Sequence, residues 1–181
     1  AEQDADVVCI QETKAQEHQL VDPVFTPEGY HCCYNDAERK GYGGTALYAK
    51  RAPTAIETRV GWEPVDSEGR YLRADFDGFT VISLYVPSGS SNDAAQGRKD
   101  VFMDRFTPHM QALLEEDREF IICADWNTCH QNIDIKNWRS NQKNSGFMPY
   151  EREWLTDLYE NQGWVDVFRQ MTSEPDLYTW W

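Results

Sequence analysis

The sequence predicts an α/β fold. Short apolar runs ending in polar residues alternate with two longer segments whose apolar residues recur at helical spacing. No linker, low-complexity tract or internal repeat interrupts that alternation. At 181 residues and 40% hydrophobic, with seven Trp, nine Tyr and eight Phe, the chain suits a single domain over residues 1–181 with a core of ordinary size.

Strands are expected near residues 6–11, 29–35, 43–50, 54–60, 70–76, 79–86 and 119–124. Between the last two, Phe102, Phe106, Met110, Leu113 and Leu114 recur at helical spacing, predicting a helix over 92–116 that Pro108 kinks or divides. A second helix is predicted over 151–162, with Trp154, Leu155 and Leu158 on one face, acidic residues early and Gly163 as its C-cap. Both stripes read as core rather than as cofactor contacts.

Several classes are disfavoured at once. No apolar run approaches the roughly 20 residues of a membrane span, and no charged-then-apolar leader is seen, which makes the cytoplasm the expected location and a membrane partner unexpected. The five Cys, at 9, 32, 33, 123 and 129, show no paired C-x-x-C spacing and read as reduced thiols, not as a zinc site. Seventeen Lys and Arg against 31 Asp and Glu give a net charge of −14, an awkward balance for a nucleic-acid binder. A local basic strip can still bind phosphate, and Lys136, Arg139 and Lys143 around Trp138 could form one; a solvated loop is the alternative.

Chemistry concentrates at strand ends. Glu119-Phe120-Ile121-Ile122-Cys123-Ala124-Asp125-Trp126-Asn127 delivers a carboxylate and an amide two residues apart, which continued strand geometry would aim the same way. The carboxylate can hold a hard cation or deprotonate water, and the amide can orient a phosphoryl oxygen without adding charge. Turn chemistry at a strand end is the plain alternative. Two further runs end comparably, Asp6-Val7-Val8-Cys9-Ile10-Gln11-Glu12-Thr13-Lys14 and Phe79 to Tyr85 followed by Val86-Pro87-Ser88-Gly89. Three strands ending in Glu12, Tyr85 and Asp125-x-Asn127 suggest one site at one sheet edge, where open sheets commonly bind ligands.

These segments resemble the exonuclease III type of apurinic/apyrimidinic endonuclease, within the endonuclease/exonuclease/phosphatase superfamily. The resemblance runs in order through Gln11-Glu12-Thr13-Lys14, Lys40-Gly41-Tyr42-Gly43-Gly44-Thr45-Ala46, Glu68-Gly69-Arg70, Tyr85-Val86-Pro87, and Asp125-Trp126-Asn127 with His130, Ile133 and Asp134. It continues through Asn144-Ser145-Gly146-Phe147, Glu151-Arg152, Trp164-Val165-Asp166-Val167-Phe168-Arg169 and Tyr178-Thr179-Trp180-Trp181. The Gln-Glu-Thr-Lys and Asp-x-Asn pieces are shared with the wider superfamily, whereas Ile133-Asp134-Ile135-Lys136-Asn137 and the aromatic ending are particular to the DNA-repair branch. A first strand with a metal-holding asparagine, a second catalytic aspartate and a Ser-Asp-His motif are family features not found here, so the chain reads as truncated at both ends and its own activity as open.

The resemblance implies a two-sheet β-sandwich flanked by helices, four layers in all and incomplete at both termini. It implies a Mg²⁺- or Mn²⁺-dependent hydrolase, a monomer, that cleaves double-stranded DNA 5′ to abasic sites, with 3′ to 5′ exonuclease activity and trimming of blocked 3′ ends. Glu12, Asp125 and Asn127 are the implied metal ligands, with Asp125 also activating water, Asn127 stabilising the phosphorane-like state and Tyr85 presenting its phenol to the phosphate. A surface pair of Glu12 with Lys14, and a core tyrosine at 85, are the plain alternatives. Lys14, Tyr42 and Arg70 match DNA-backbone contacts, Lys136 lies in the basic strip, and Trp180 matches a wall of the pocket for the flipped sugar. Ser88 departs from the asparagine usual after Tyr-Val-Pro. His130 reads as a structural hydrogen-bonding residue, and His18, His31 and His109 show no sign of function. Rival readings are a phosphoesterase acting on RNA, phosphoinositide or sphingomyelin, and a non-catalytic DNA-binding fragment.

Overall fold

The computed structural model describes residues 4–179. They form two compact units, the first running to Val86 and resuming over Glu116–Asp125, the second comprising Pro87–Glu115 and the chain from Trp126 onward.

The first unit is two sheets packed face to face. One has the order β1-β3-β2, from β1 (Val7–Gln11), β2 (His31–Asn35) and β3 (Thr45–Ala49), all antiparallel. The other has the order β4-β5-β6-β7, from β4 (Ala55–Glu57), β5 (Tyr71–Asp75), β6 (Phe79–Tyr85) and β7 (Glu119–Asp125). Only β6 and β7 run parallel, so their C-terminal ends, Tyr85 and Asp125, pair at the same edge. Leu47 and Ala49 of β3 meet Leu72 and Ala74 of β5, with Phe76 and Val81, in a cluster that Val7, Cys9, Cys33 and Phe79 complete.

Every expected strand is present, most of them slightly shorter than expected, whereas β7 runs one residue further, to Asp125. The seven residues of central β6 are buried except for half-buried Phe79, whereas β1 and β7 bury only alternate positions. Their apolar runs suggest burial on both faces, yet Val8, Ile10 and Ile121 are 39%, 40% and 52% exposed. The reason is position: both are edge strands among the described residues, and period-2 alternation turns every second side chain away from the partner sheet. A polar tie crosses the sandwich near its functional edge. The Gln11 side-chain amide donates to Ser83 Oγ at 2.9 Å and to the Cys123 carbonyl at 3.0 Å.

The second unit is helical. Helix α1 (Asp93–Leu114) starts at Asn92, whose side chain accepts from the Ala95 amide. It runs unbroken through Pro108, correcting the expected division. Proline removes one intrahelical hydrogen bond. Phe102, Phe106, Met110 and Leu113 all bury from the same face, however, and that burial outweighs one lost bond. Leu114 falls off that stripe and is 43% exposed. Helix α2 (Trp138–Asn141) is a single turn, and α4 (Val167–Met171) is capped by Asp166. Helix α3 (Pro149–Glu160) begins two residues earlier than expected because Pro149 occupies its first position, where a missing N–H costs nothing. Its C-cap is Asn161, and Gly163, at φ 93°, follows in the left-handed region while Trp164 N–H bonds the Leu158 carbonyl.

Candidate active site

Glu12 leaves the end of β1 with φ 57°, and Lys14 follows at φ 51°, so the chain turns sharply within the Glu-Thr-Lys segment. Two backbone bonds hold the turn, Thr13 N–H to the Gly44 carbonyl at 3.2 Å and Lys14 N–H to the Gly43 carbonyl at 2.9 Å. Gly44 permits it: at φ +86°, a Cβ there would lie 2.2 Å from Thr13 Oγ1. Gly44→Ala is therefore expected to lower stability by about 1–3 kcal/mol, through combined φ strain and displacement of Thr13. Urea unfolding checks this, and a change within about 0.5 kcal/mol would show that the turn yields easily.

Tyr85 closes β6 with only 8% of its surface exposed. Its side chain hydrogen-bonds to Glu12, whose carboxylate also pairs with Lys14 Nζ at 2.9 Å. The hydrogen bond from Lys14, joined by one from Tyr85, holds the Glu12 carboxyl below its ordinary range. Burial, then the charge of Glu12, pushes the Tyr85 phenol up to about 12, and Asp125 adds to the effect. A neutral donor thus stands beside an ionised acceptor at neutral pH. The folded value lies above the ordinary phenol value of about 10, so the associated stability is intact below pH 10 and is lost as pH rises through about 12. Titration of ring-labelled tyrosine by NMR, with the Tyr85 signal assigned by its loss in Tyr85→Phe, should show that phenol near 12 and moving down in Glu12→Gln. A Tyr85 midpoint at the ordinary value would contradict the burial described.

Arg70 is 3% exposed and organises this edge from beneath. Its Nε meets Glu68 at 2.5 Å, Nη1 donates to the Tyr85 carbonyl at 3.1 Å, and Nη2 reaches the Tyr42 hydroxyl at 3.4 Å. Its guanidinium also lies 4.5 Å from the Tyr85 ring centroid. The structure thus places Arg70 inside the unit, while Lys14 and half-buried Tyr42 reach its surface. Asp125 ends β7 opposite Tyr85, and its carbonyl accepts from the Val86 amide at 3.0 Å. Glu12, Tyr85 and Asp125 are thereby brought together through the phenol that both carboxylates influence.

Strand geometry does not continue to Asn127. Its φ of 47° is left-handed, so the two-residue alternation that aligned it with Asp125 stops at the strand end. In the second unit its carbonyl accepts from Lys99 Nζ at 2.7 Å, and Lys99 is itself paired with Glu151 at 2.6 Å, both side chains fully buried. The other Glu151 oxygen accepts from the Gly146 and Met148 amides at 2.7 and 2.9 Å. Glu151, expected as an acidic start to a helix and as part of the family resemblance but given no role, is the centre of a buried network. Lys136, Arg139 and Lys143 are exposed, with Arg139 stacked 4.5 Å from the Trp138 ring. His130 Nε2 lies 2.8 Å from Thr156 Oγ1, and burial pulls its pKa down, as suits a structural residue. Trp180 lies outside the described residues.

The donor set of the first unit suits a hard divalent cation, because carboxylate oxygens from Glu12 and Asp125 are the ligands Mg²⁺ and Mn²⁺ accept while keeping several waters. Among the described residues no group of three or more His, Cys, Asp or Glu is placed to enclose a metal ion. Gln11, Glu68 and Lys99 were not legible as site-building residues. Gln11 and Glu68 sat inside recognised motifs, and only Lys99, a lone cation on a helix, carried no sign.

The profile of the Endonuclease/Exonuclease/phosphatase family matches residues 1–181. The chain is 40% identical over 185 residues to the exodeoxyribonuclease of Bacillus subtilis (strain 168), covering 99% of this chain and 70% of that protein. It is 35% identical over 182 residues to the DNA repair nuclease APEX1 of Danio rerio, covering 99% of this chain and 58% of that protein. Among solved structures, an AP endonuclease from Archaeoglobus fulgidus superposes with a TM-score of 0.83 at 26% identity, over 93% of this chain and 65% of that one. The two sheets and helices therefore follow an established α/β architecture.

Proposed function

Because the chain belongs to the endonuclease/exonuclease/phosphatase family, we propose that it carries the phosphodiester-hydrolysing centre of a DNA-repair nuclease that cuts 5′ to abasic sites and trims blocked 3′ ends. The observation that best supports this reading is the junction of Glu12, Tyr85 and Asp125 at the ends of β1, β6 and β7. Relatives named exodeoxyribonuclease and DNA repair nuclease support the nuclease class.

Glu12 and Asp125 would hold Mg²⁺ or Mn²⁺. When bound, the ion supplies charge neutralisation at the phosphate. Asp125 orients and deprotonates the attacking water, and the neutral Tyr85 phenol donates to a phosphate oxygen. Asn127 contributes an uncharged donor to the phosphorane-like state. Lys14, Tyr42 and Lys136 engage the DNA backbone, and Arg70 acts through Tyr42 and Tyr85. An abasic nucleotide suits this centre because little stacking is lost when it leaves the helix. The net charge of −14 predicts shallow salt dependence, since few phosphates would be neutralised.

The test is a duplex carrying one synthetic abasic site, incubated with Mg²⁺ or with EDTA. The chain is assayed alone and as a chimera extended to the length of the Bacillus relative with that protein's own segments. Metal-dependent incision 5′ to the lesion by either form supports the proposal. Failure of both overturns it and directs attention to other phosphoester substrates.

A further inference from the structure

We propose that Cys9 and Cys123 form a peroxide-sensitive thiol pair that closes to a disulfide between the two sheets of the first unit. The inference is independent of the nuclease reading. Cys9 lies on β1 and Cys123 on β7, edge strands of different sheets, and Ser83, which pairs with Cys123 across β6 and β7, brings the two cysteines side by side, each thiol perturbed by the other. The crossing is braced locally. The side chain of Gln11, two residues beyond Cys9, donates to the Cys123 carbonyl at 3.0 Å, and Ser83 Oγ donates to the Ile10 carbonyl at 3.3 Å. These bonds hold β1 against β7 beside the two cysteines, and a disulfide needs partners held close in this way.

The pair differs from the other cysteines in both partner and access. Cys123 is exposed, so a small hydroperoxide can reach it, while half-buried Cys9 waits alongside as the resolving thiol. Cys32 and Cys33 are neighbours on β2, where consecutive side chains point to opposite faces and cannot readily join each other. Cys129 belongs to the second unit.

The chemistry balances with a hydroperoxide as oxidant. The Cys123 sulfur takes the terminal oxygen of ROOH as the O–O bond breaks, its proton leaves with the alkoxide as ROH, and a sulfenic acid results. The Cys9 sulfur then forms the S–S bond as the S–O bond breaks, and hydroxide leaves with the Cys9 proton as water. Two thiols are oxidised and one peroxide is reduced. The new bond would tie the strands whose ends carry Glu12 and Asp125.

The experiment treats the folded 181-residue chain with hydrogen peroxide, blocks remaining thiols with N-ethylmaleimide, digests with trypsin without reductant and maps cross-linked peptides by mass. The expected product joins residues 1–14 to residues 119–136 with the loss of two hydrogens, and dithiothreitol reverses it. Because the second peptide also holds Cys129, the link should persist in Cys129→Ser and vanish in Cys123→Ser. Cys9→Ser should leave Cys123 trapped as a sulfenic acid that dimedone labels. The proposal is overturned if the link follows Cys129, Cys32 or Cys33. It is overturned equally if Cys123 advances to sulfinic acid in the wild type without pairing, or if chain unfolded in urea gives the same link in equal yield.

Discussion

Lys99→Met is expected to destabilise the protein by about 3–5 kcal/mol, the usual consequence of leaving one member of a buried ion pair uncompensated. The Lys99 and Glu151 side chains are both 0% exposed, and Lys99 Nζ also holds the Asn127 carbonyl. Methionine keeps the length and apolar stem, so little of the loss is a packing defect. What remains is a buried carboxylate facing no cation. The double variant Lys99→Met/Glu151→Gln should cost less than the two single changes added together, because it removes the orphaned charge. Chemical denaturation of the four proteins measures both quantities. A Lys99→Met cost below about 1 kcal/mol would mean that water reaches the pair and that the network is not the anchor of the Asn127 segment. Gly146 belongs to the same anchor, since its amide reaches Glu151 and a Cβ on it would lie 2.8 Å from the Asn127 carbonyl.

Asp125→Asn is expected to lower kcat for abasic-site incision by about 10²–10⁴-fold, the range for a positioned general base, in whichever form of the protein cleaves. The substitution keeps size and shape and leaves the backbone pairing of β7 with Val86 in place, so unfolding should move far less than activity. The combination separates chemistry from folding. Loss of incision with an unchanged melting curve supports the assigned role. Retained incision within about tenfold assigns water activation elsewhere, and Glu12→Gln then becomes the informative variant.

Much of this was readable residue by residue. The runs ending in Glu12, Tyr85 and Asp125 announced strands because apolar, β-branched segments bounded by turn residues have few other solutions. Their polar ends announced chemistry because hard carboxylates beside a phenol suit phosphoester hydrolysis. The helical stripe through Phe102, Phe106, Met110 and Leu113 was equally plain, and its register placed the core correctly.

Other features depended on neighbours distant in sequence. Nothing local distinguishes Lys99 from a surface lysine, or Glu151 from an N-terminal helix acid; they become a buried pair because folding brings residues 52 positions apart within 2.6 Å. Pro108 looked like a helix break because propensity is local, whereas the buried face that carries α1 through it is not. Asn127 seemed aligned with Asp125 until a left-handed turn, its carbonyl gripped by Lys99, ended the strand's alternation. The sequence by itself determined where the strands and the two longer helices lie and which polar residues end the strands, since periodicity and residue type act over a few positions, whereas the short α2 and α4 carried no such signal. Tertiary structure alone decided which charges are buried, where each element stops and which thiols lie side by side, because those outcomes depend on desolvation and on contacts across the fold.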